Sequence, residues 1–72
     1  MDSIYKYLVH TPELYAGEVM GKLTALGTTV LNVETEDGIW SITIYSECDI
    51  LDEFKPWLQK ITNNSGVINY LP

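Results

Sequence analysis

Few side chains here carry reactive chemistry, and their isolation decides most of what they can do. His10 is the single histidine, Cys48 the single cysteine, and no arginine occurs anywhere in the 72 residues. An imidazole can shuttle a proton or hold a metal near neutral pH, but it needs a second ligand, a nucleophile or an orienting carboxylate to do so. The sequence places none of these beside His10, so this residue reads as structural or solvent-exposed. Cys48 lies between Glu47 and Asp49, a poor setting for a nucleophilic thiolate. Standing alone, it also excludes an internal disulfide and any CxxC metal or redox motif. Glu34, Glu36 and Asp37 make an acidic cluster, yet they lack the spacing and distal Glu of a calcium-binding loop. The expectation is a chain that catalyses nothing and holds neither metal nor cofactor.

Charge narrows the choice of partner. Ten acids stand against Lys6, Lys22, Lys55 and Lys60, a net charge of -6. Nucleic-acid affinity comes largely from neutralising phosphates with Lys and Arg, so this chain is a poor candidate for direct RNA or DNA binding. An acidic surface instead attracts a basic protein. At this length there is one domain, residues 1–72, near the lower limit for a self-sufficient core. An apolar share of 46% against 19% charged residues makes that domain globular rather than disordered. The N-terminus has an acid at its second position and no signal-peptide pattern. No apolar run approaches the ~20 residues that span a bilayer. The reading is a soluble protein of a reducing compartment, the cytoplasm.

The elements that must position these groups follow from periodicity. Ile4 to His10 alternates as a strand, with Tyr5, Tyr7 and Val9 on one face and Ile4, Lys6, Leu8 and His10 on the other. Thr11 suits an N-cap, Pro12 the first helical position and Glu13 the positive end of the helix dipole. Tyr15, Val19, Leu23 and Leu26 then recur on one helical face, with Met20 beside them, until Gly27 ends the helix. Gly17 and Gly21 inside it each cost about 1 kcal/mol relative to Ala, which predicts close approach of another element there. Thr28 to Glu34 reads as the second strand, with Leu31 and Val33 sharing a face. The stretch Glu34 to Gly38 is a hairpin turn carrying an Asp-Gly pair.

Ile39 to Tyr45 is the third strand, directing Trp40, Ile42 and Ile44 to the core and Ser41, Thr43 and Tyr45 outward. A second helix begins at Asp49 or Asp52 and carries a stripe of Leu51, Phe54, Leu58 and Ile61, with Trp57 beside it. Pro56 predicts that its regular part starts late, near Asp52 or Glu53, or is distorted in its first turns. Asn63 to Gly66 stops it, and Val67 to Leu71 is the last strand, with Ile68 and Tyr70 inward. The order βαββαβ, with two right-handed crossovers, predicts an α+β, ferredoxin-like sandwich: a four-stranded antiparallel sheet of order 4-1-3-2 with both helices on one face. Many unrelated functions share that arrangement. Acylphosphatase-like chemistry would need an arginine to hold phosphate, and an RNA-stacking sheet more outward aromatics than Tyr45.

The order TPELYAGEVMGKL resembles the C-terminal, fifth domain of translation elongation factor G and related ribosomal GTPases, through Thr11, Pro12, Glu13, Tyr15, Gly17, Val19, Gly21 and Leu23. Asn32, Val33 and Glu34 at the hairpin, and Phe54, Leu58, Ile61, Thr62 and Gly66 in and after the second helix, extend the likeness over nearly the whole chain. The first helix alone is distinctive. The resemblance implies the same fold, a domain without catalysis of its own, and, in family members, a place beside ribosomal RNA and ribosomal proteins. This sequence departs where such a contact needs charge. Thr24, Ala25 and Leu26 are neutral where the family carries an arginine-rich helix end, Ser65 stands in place of a basic residue, and no phosphate-binding loop occurs.

A sheet with both helices on one side leaves its other side bare. Leu8, Ile39, Tyr45, Val67 and Leu71 are expected to form an apolar patch there, around Lys6, His10, Asn32 and Asn69, and exposed apolar surface of this kind marks an interface. The first expectation is therefore a non-catalytic protein-interaction module, a free-standing relative of the elongation factor G domain. It would bind a protein partner through Lys6, Leu8, His10, Asn32, Glu34, Tyr45 and Asn69. Self-association through the same face or an edge strand fits the pattern equally. The alternatives are a small-ligand-sensing regulatory domain of the same fold, or a piece of a larger ribosome-associated factor.

Overall fold

The computed structural model describes residues 4–71. The elements follow the expected order: β1 (Tyr5–Pro12), α1 (Glu13–Ala25), β2 (Thr29–Glu36), β3 (Ile39–Ser46), α2 (Leu51–Ile61) and β4 (Val67–Tyr70). One antiparallel sheet runs β2-β3-β1-β4, which is 4-1-3-2 read from the other edge. Tyr7, Val9, Ile42, Ile44 and Ile68 project from one side of it and are buried against Val19 and Leu23 of α1 and Phe54 and Leu58 of α2. This is the ferredoxin-like α+β sandwich, and its single core lies between the sheet and the two helices.

The junction of β1 and α1 departs from expectation. β1 continues to Pro12, pairing in register with β3 up to Pro12 opposite Ile39. Thr11 is consequently a fully buried strand residue facing the core rather than an N-cap. Pro12 takes the cap position with no side-chain cap bond. A neighbouring loop supplies what a cap would: Glu13 N–H donates to the Gly38 carbonyl at 2.8 Å. The hairpin tip thus satisfies a helix-start donor that local sequence leaves open.

Along α1, Ala16, Val19 and Leu23 are buried, and Tyr15, Met20 and Leu26 pack partly against the core. Gly17 and Gly21 face solvent, and a Cβ at either would meet nothing within 4 Å, so the expected close approach is absent. Their backbone cost is therefore uncompensated inside the domain. Gly17→Ala and Gly21→Ala are each expected to stabilise it by about 0.5–1 kcal/mol, measured by urea unfolding. A loss of stability at either would mean the helix packs differently. Gly27, with φ of 79°, ends α1 in a left-handed turn; its N–H bonds Thr24 O and that of Thr28 bonds Leu23 O, at 3.0 and 3.2 Å.

The hairpin is tighter and its strands longer than expected. Thr35 and Glu36 belong to β2, leaving Asp37 and Gly38 as a two-residue turn with φ of 52° and 78°. The register shifts between Val30 and Asn32. Leu31 is the extra residue of a bulge, so it does not share a face with Val33 by simple alternation. α2 begins at Leu51 despite Pro56 in its interior. Pro56 and Asp52, whose carbonyl loses its partner, are both on the exposed side, where water replaces the missing bond. At its exit, Gly66 is required sterically: a Cβ would lie 2.8 Å from Leu58 Cδ1 and 2.9 Å from Thr62 Oγ1.

Candidate functional site

Residues paired across antiparallel strands share a face, so the register lays out the uncovered side in rows. Tyr45 is flanked by Lys6 and Thr29; Thr43 by Leu8 and Asn32, with Asn69 beyond Leu8; Ser41 by His10 and Glu34, with Val67 beyond His10. Every side chain expected to meet a partner therefore lies on this face: Lys6, Leu8, His10, Asn32, Glu34, Tyr45 and Asn69. Their common placement follows from the period of two in three strands and from one bulge that resets β2.

The apolar members do not merge into the expected patch. Leu8 meets Tyr45 and Val67 only diagonally, with Lys6, His10, Thr43 and Asn69 as its direct neighbours, and Ile39 sits at the hairpin end beside Pro12. Leu71, whose N–H bonds Lys6 O at 2.9 Å, continues β4 beyond its last paired residue. The face is a mosaic of single apolar groups set among polar ones.

His10 is not alone. Ser41 Oγ lies 3.0 Å from its Nδ1, a neighbour 31 residues away in sequence that strand pairing supplies. The contact orients the ring. An activated serine needs a base held by a third group; among the described residues, His10 has no carboxylate within hydrogen-bonding distance. The pair is a polar tie between the two central strands. Asn32 Nδ2 approaches Glu34 Oε1 at 3.4 Å on the exposed edge strand. Among the described residues, no three of His, Cys, Asp and Glu gather closely enough to hold a metal ion, and Cys48 is exposed and free.

The most connected polar group lies elsewhere, where α2 begins. Asp49 Oδ1 accepts from Tyr7 Oη at 2.8 Å and from Leu51 N–H at 3.0 Å, and its Oδ2 accepts from Tyr70 Oη at 2.8 Å. Ile50 N–H in turn donates to Tyr7 Oη at 3.2 Å. The two tyrosine rings lie 5.0 Å apart. Donation by Leu51 N–H, then by Tyr70 and Tyr7, holds the Asp49 carboxyl below its ordinary range. Burial chiefly, with the Asp49 bond and charge adding to it and the Ile50 bond opposing, pushes the Tyr7 phenol far above its usual value. The Tyr70 phenol rises through its bond to Asp49. By sequence, Asp49 signals only a helix start. These contacts tie β1, β4 and α2 together and make the cluster structural.

Two shallow clefts lie away from the bare face's centre. One of about 290 Å³ lies among Leu26, Gly27, Thr29, Tyr45, Glu47 and Cys48. The other, of about 260 Å³, lies between α2 and β4, among Lys55, Gln59, Asn64 and Asn69. Both lie at the lower end of the roughly 300–1,000 Å³ of ordinary small-molecule sites.

No protein-family model matches this chain, and no curated protein matches it. Among solved structures, a crystal structure of a protein from Thermus thermophilus is similar over 97% of the chain, with a TM-score of 0.83 and 21% sequence identity. The chain spans 11% of the length of that Thermus protein, so the matching portion there is one part of a much larger chain. At that identity the likeness establishes the fold: a four-stranded antiparallel sheet carrying two helices on one face.

Proposed function

We propose that this chain is a non-catalytic protein-interaction module that meets a protein partner through the bare side of its sheet, its acids steering a partner with a basic surface. One observation carries the reading. Both helices are spent on a single face, and the other presents Lys6, Leu8, His10, Tyr45 and Asn69 on the rigid central strands and the short edge strand β4. A backbone fixed in a ladder loses little further entropy on binding, which leaves only side-chain rotamers to be ordered. Glu34, Glu36 and Asp37 at one end supply the field that speeds encounter. Small-ligand sensing is the weaker reading because these two clefts are small and open to solvent.

The test is made on a partner captured from the source cell and purified. Chemical-shift mapping on labelled protein is expected to centre on Lys6, Leu8, His10 and Asn69, and Leu8→Asp to weaken binding roughly tenfold or more. Reversing Glu34, Glu36 and Asp37 to lysine is expected to slow association by about tenfold and flatten its salt dependence. Shifts confined to the exposed faces of α1 and α2 would end the proposal. Unchanged association kinetics would end the steering.

A second reading is favoured by the Thermus structure, in which the matching fold is a small part of a long chain. On it, these residues act as one domain of a larger factor, in keeping with their resemblance to the C-terminal domain of elongation factor G. The neutral Thr24, Ala25 and Leu26 at the end of α1 then direct the contact to protein rather than RNA. Pelleting with ribosomes tests this: retention at about 0.5 M salt but not with rRNA alone supports it, and no retention at about 0.05 M sinks it.

A further inference from the structure

The sheet has two edges, and they differ. β4 is short, four residues, whereas β2 runs for eight and is exposed at every residue but Val30. Leu31 and Val33 keep 50% and 36% of their surface, so no helix covers this strand. The turn decides which backbone groups β3 consumes. Asp37 and Gly38 both have positive φ, and Glu36 lies directly opposite Ile39, the geometry of a two-residue turn whose flanking pair exchanges both hydrogen bonds. Alternation along the ladder then makes Glu34 with Ser41 and Asn32 with Thr43 the next bonded pairs. The N–H and C=O of Val33 and Thr35 consequently point away from β3, along the free edge.

From Asn32 to Glu36 the chain thus offers a regular strand edge, bounded by the bulge at Leu31 and the turn at Asp37. Its side chains are sorted: Asn32, Glu34 and Glu36 on the bare face, Val33 and Thr35 on the helix-bearing face. No lysine, arginine or histidine occurs between Lys22 and Lys55, so nothing on this hairpin neutralises those acids. An edge that is regular, exposed and of one charge selects what can pair with it.

We propose that the edge at Asn32–Glu36 binds an extended basic segment of a partner protein by strand addition, the segment alternating Lys or Arg with β-branched residues. The inference rests on the reading of this chain as a partner-binding module, but not on the bare face being the contact. Main-chain bonds to Val33 and Thr35 supply affinity. The basic side chains lie beside Glu34 and Glu36, and the β-branched ones beside Val33. A second copy of this chain fits poorly, because β2 against β2 brings acids together.

A peptide of about nine residues alternating Lys and Val, long enough to span the five-residue edge, is the probe, and its Glu-Val counterpart the control, each titrated into the labelled full chain. The Lys-Val peptide is expected to shift and protect the Val33 and Thr35 amides, with affinity falling as salt rises. The control is expected not to bind. Thr35→Pro removes an outward N–H without breaking a bond to β3, a substitution edge strands tolerate, and is expected to weaken binding at least ~10-fold. Glu34→Lys combined with Glu36→Lys does the same through charge, and serves if the proline variant does not fold.

Absence of saturable binding, or equal binding of the Glu-Val peptide, overturns the proposal. Shifts centred on Leu8 and His10 and indifferent to Thr35→Pro would also overturn it, while leaving the sheet-face reading intact. A dimer in the absence of peptide that Thr35→Pro abolishes would overturn it too, assigning the edge to a second copy instead.

Discussion

Truncating Phe54 to alanine is expected to cost about 3–5 kcal/mol and lower the Tm by more than roughly 12 °C. Phe54 is fully buried in the single core cluster, with its ring 5.4 Å from that of Trp57. α2 makes no ladder bonds, so side chains alone hold it to the sheet, and only Phe54 and Leu58 are wholly enclosed among them. The loss is a cavity at the centre of a domain whose total stability, by size, is of order 4–11 kcal/mol. Urea unfolding followed by circular dichroism measures it, and Phe54→Leu should recover most of the loss by refilling the volume. A change under about 1 kcal/mol would mean that α2 is not seated as described.

Tyr7→Phe is expected to cost about 1–3 kcal/mol at neutral pH, because it leaves Ile50 N–H without its acceptor in a buried setting. The distinguishing readout is pH. The Tyr7 phenol is raised in the folded state above its ordinary value of 10.0, so its contribution is complete below about pH 10 and is lost as the pH climbs beyond it. The variant has no such group to ionise. Its deficit relative to the parent should therefore narrow above about pH 10. Asp49 gives the opposite sign. Its carboxyl is depressed below 3.8, so its contribution is present above that pH and lost as the pH falls through the lowered value. Losing the Tyr7 donor should move that acid loss to higher pH. A deficit constant from about pH 3 to about pH 12 would show that the cluster is not formed.

The types of Phe54, Tyr7 and Asp49 are plain in the sequence; their neighbours in space are not. The alternation of β1 and β3, the stripe of α2 and the Asp-Gly turn each signal within a few residues, because they reflect side-chain period and φ preference. Those signals dictate the element order, the sheet order and the outward placement of Lys6, Leu8, His10, Tyr45 and Asn69. The distinctive order of α1 carries a family resemblance that implies the same fold, while the expected partner class rests on net charge and the absence of arginine. Errors arose wherever a local preference met a tertiary demand. Thr11 has the chemistry of a cap, but pairing with β3 draws it into the strand. Gly17 and Gly21 suggested a close neighbour and have none.

What the amino-acid order settled unaided is the βαββαβ order, its single core and the facing of β1, β3 and β4, since each rests on signals no longer than one helix or hairpin. The tertiary structure alone decided the Ser41–His10 tie, the gathering of Tyr7, Asp49 and Tyr70, the bulge at Leu31 and the backbone groups bared along β2. Those depend on register and on contacts between residues tens of positions apart, where a shift of one residue turns every side chain to the other face.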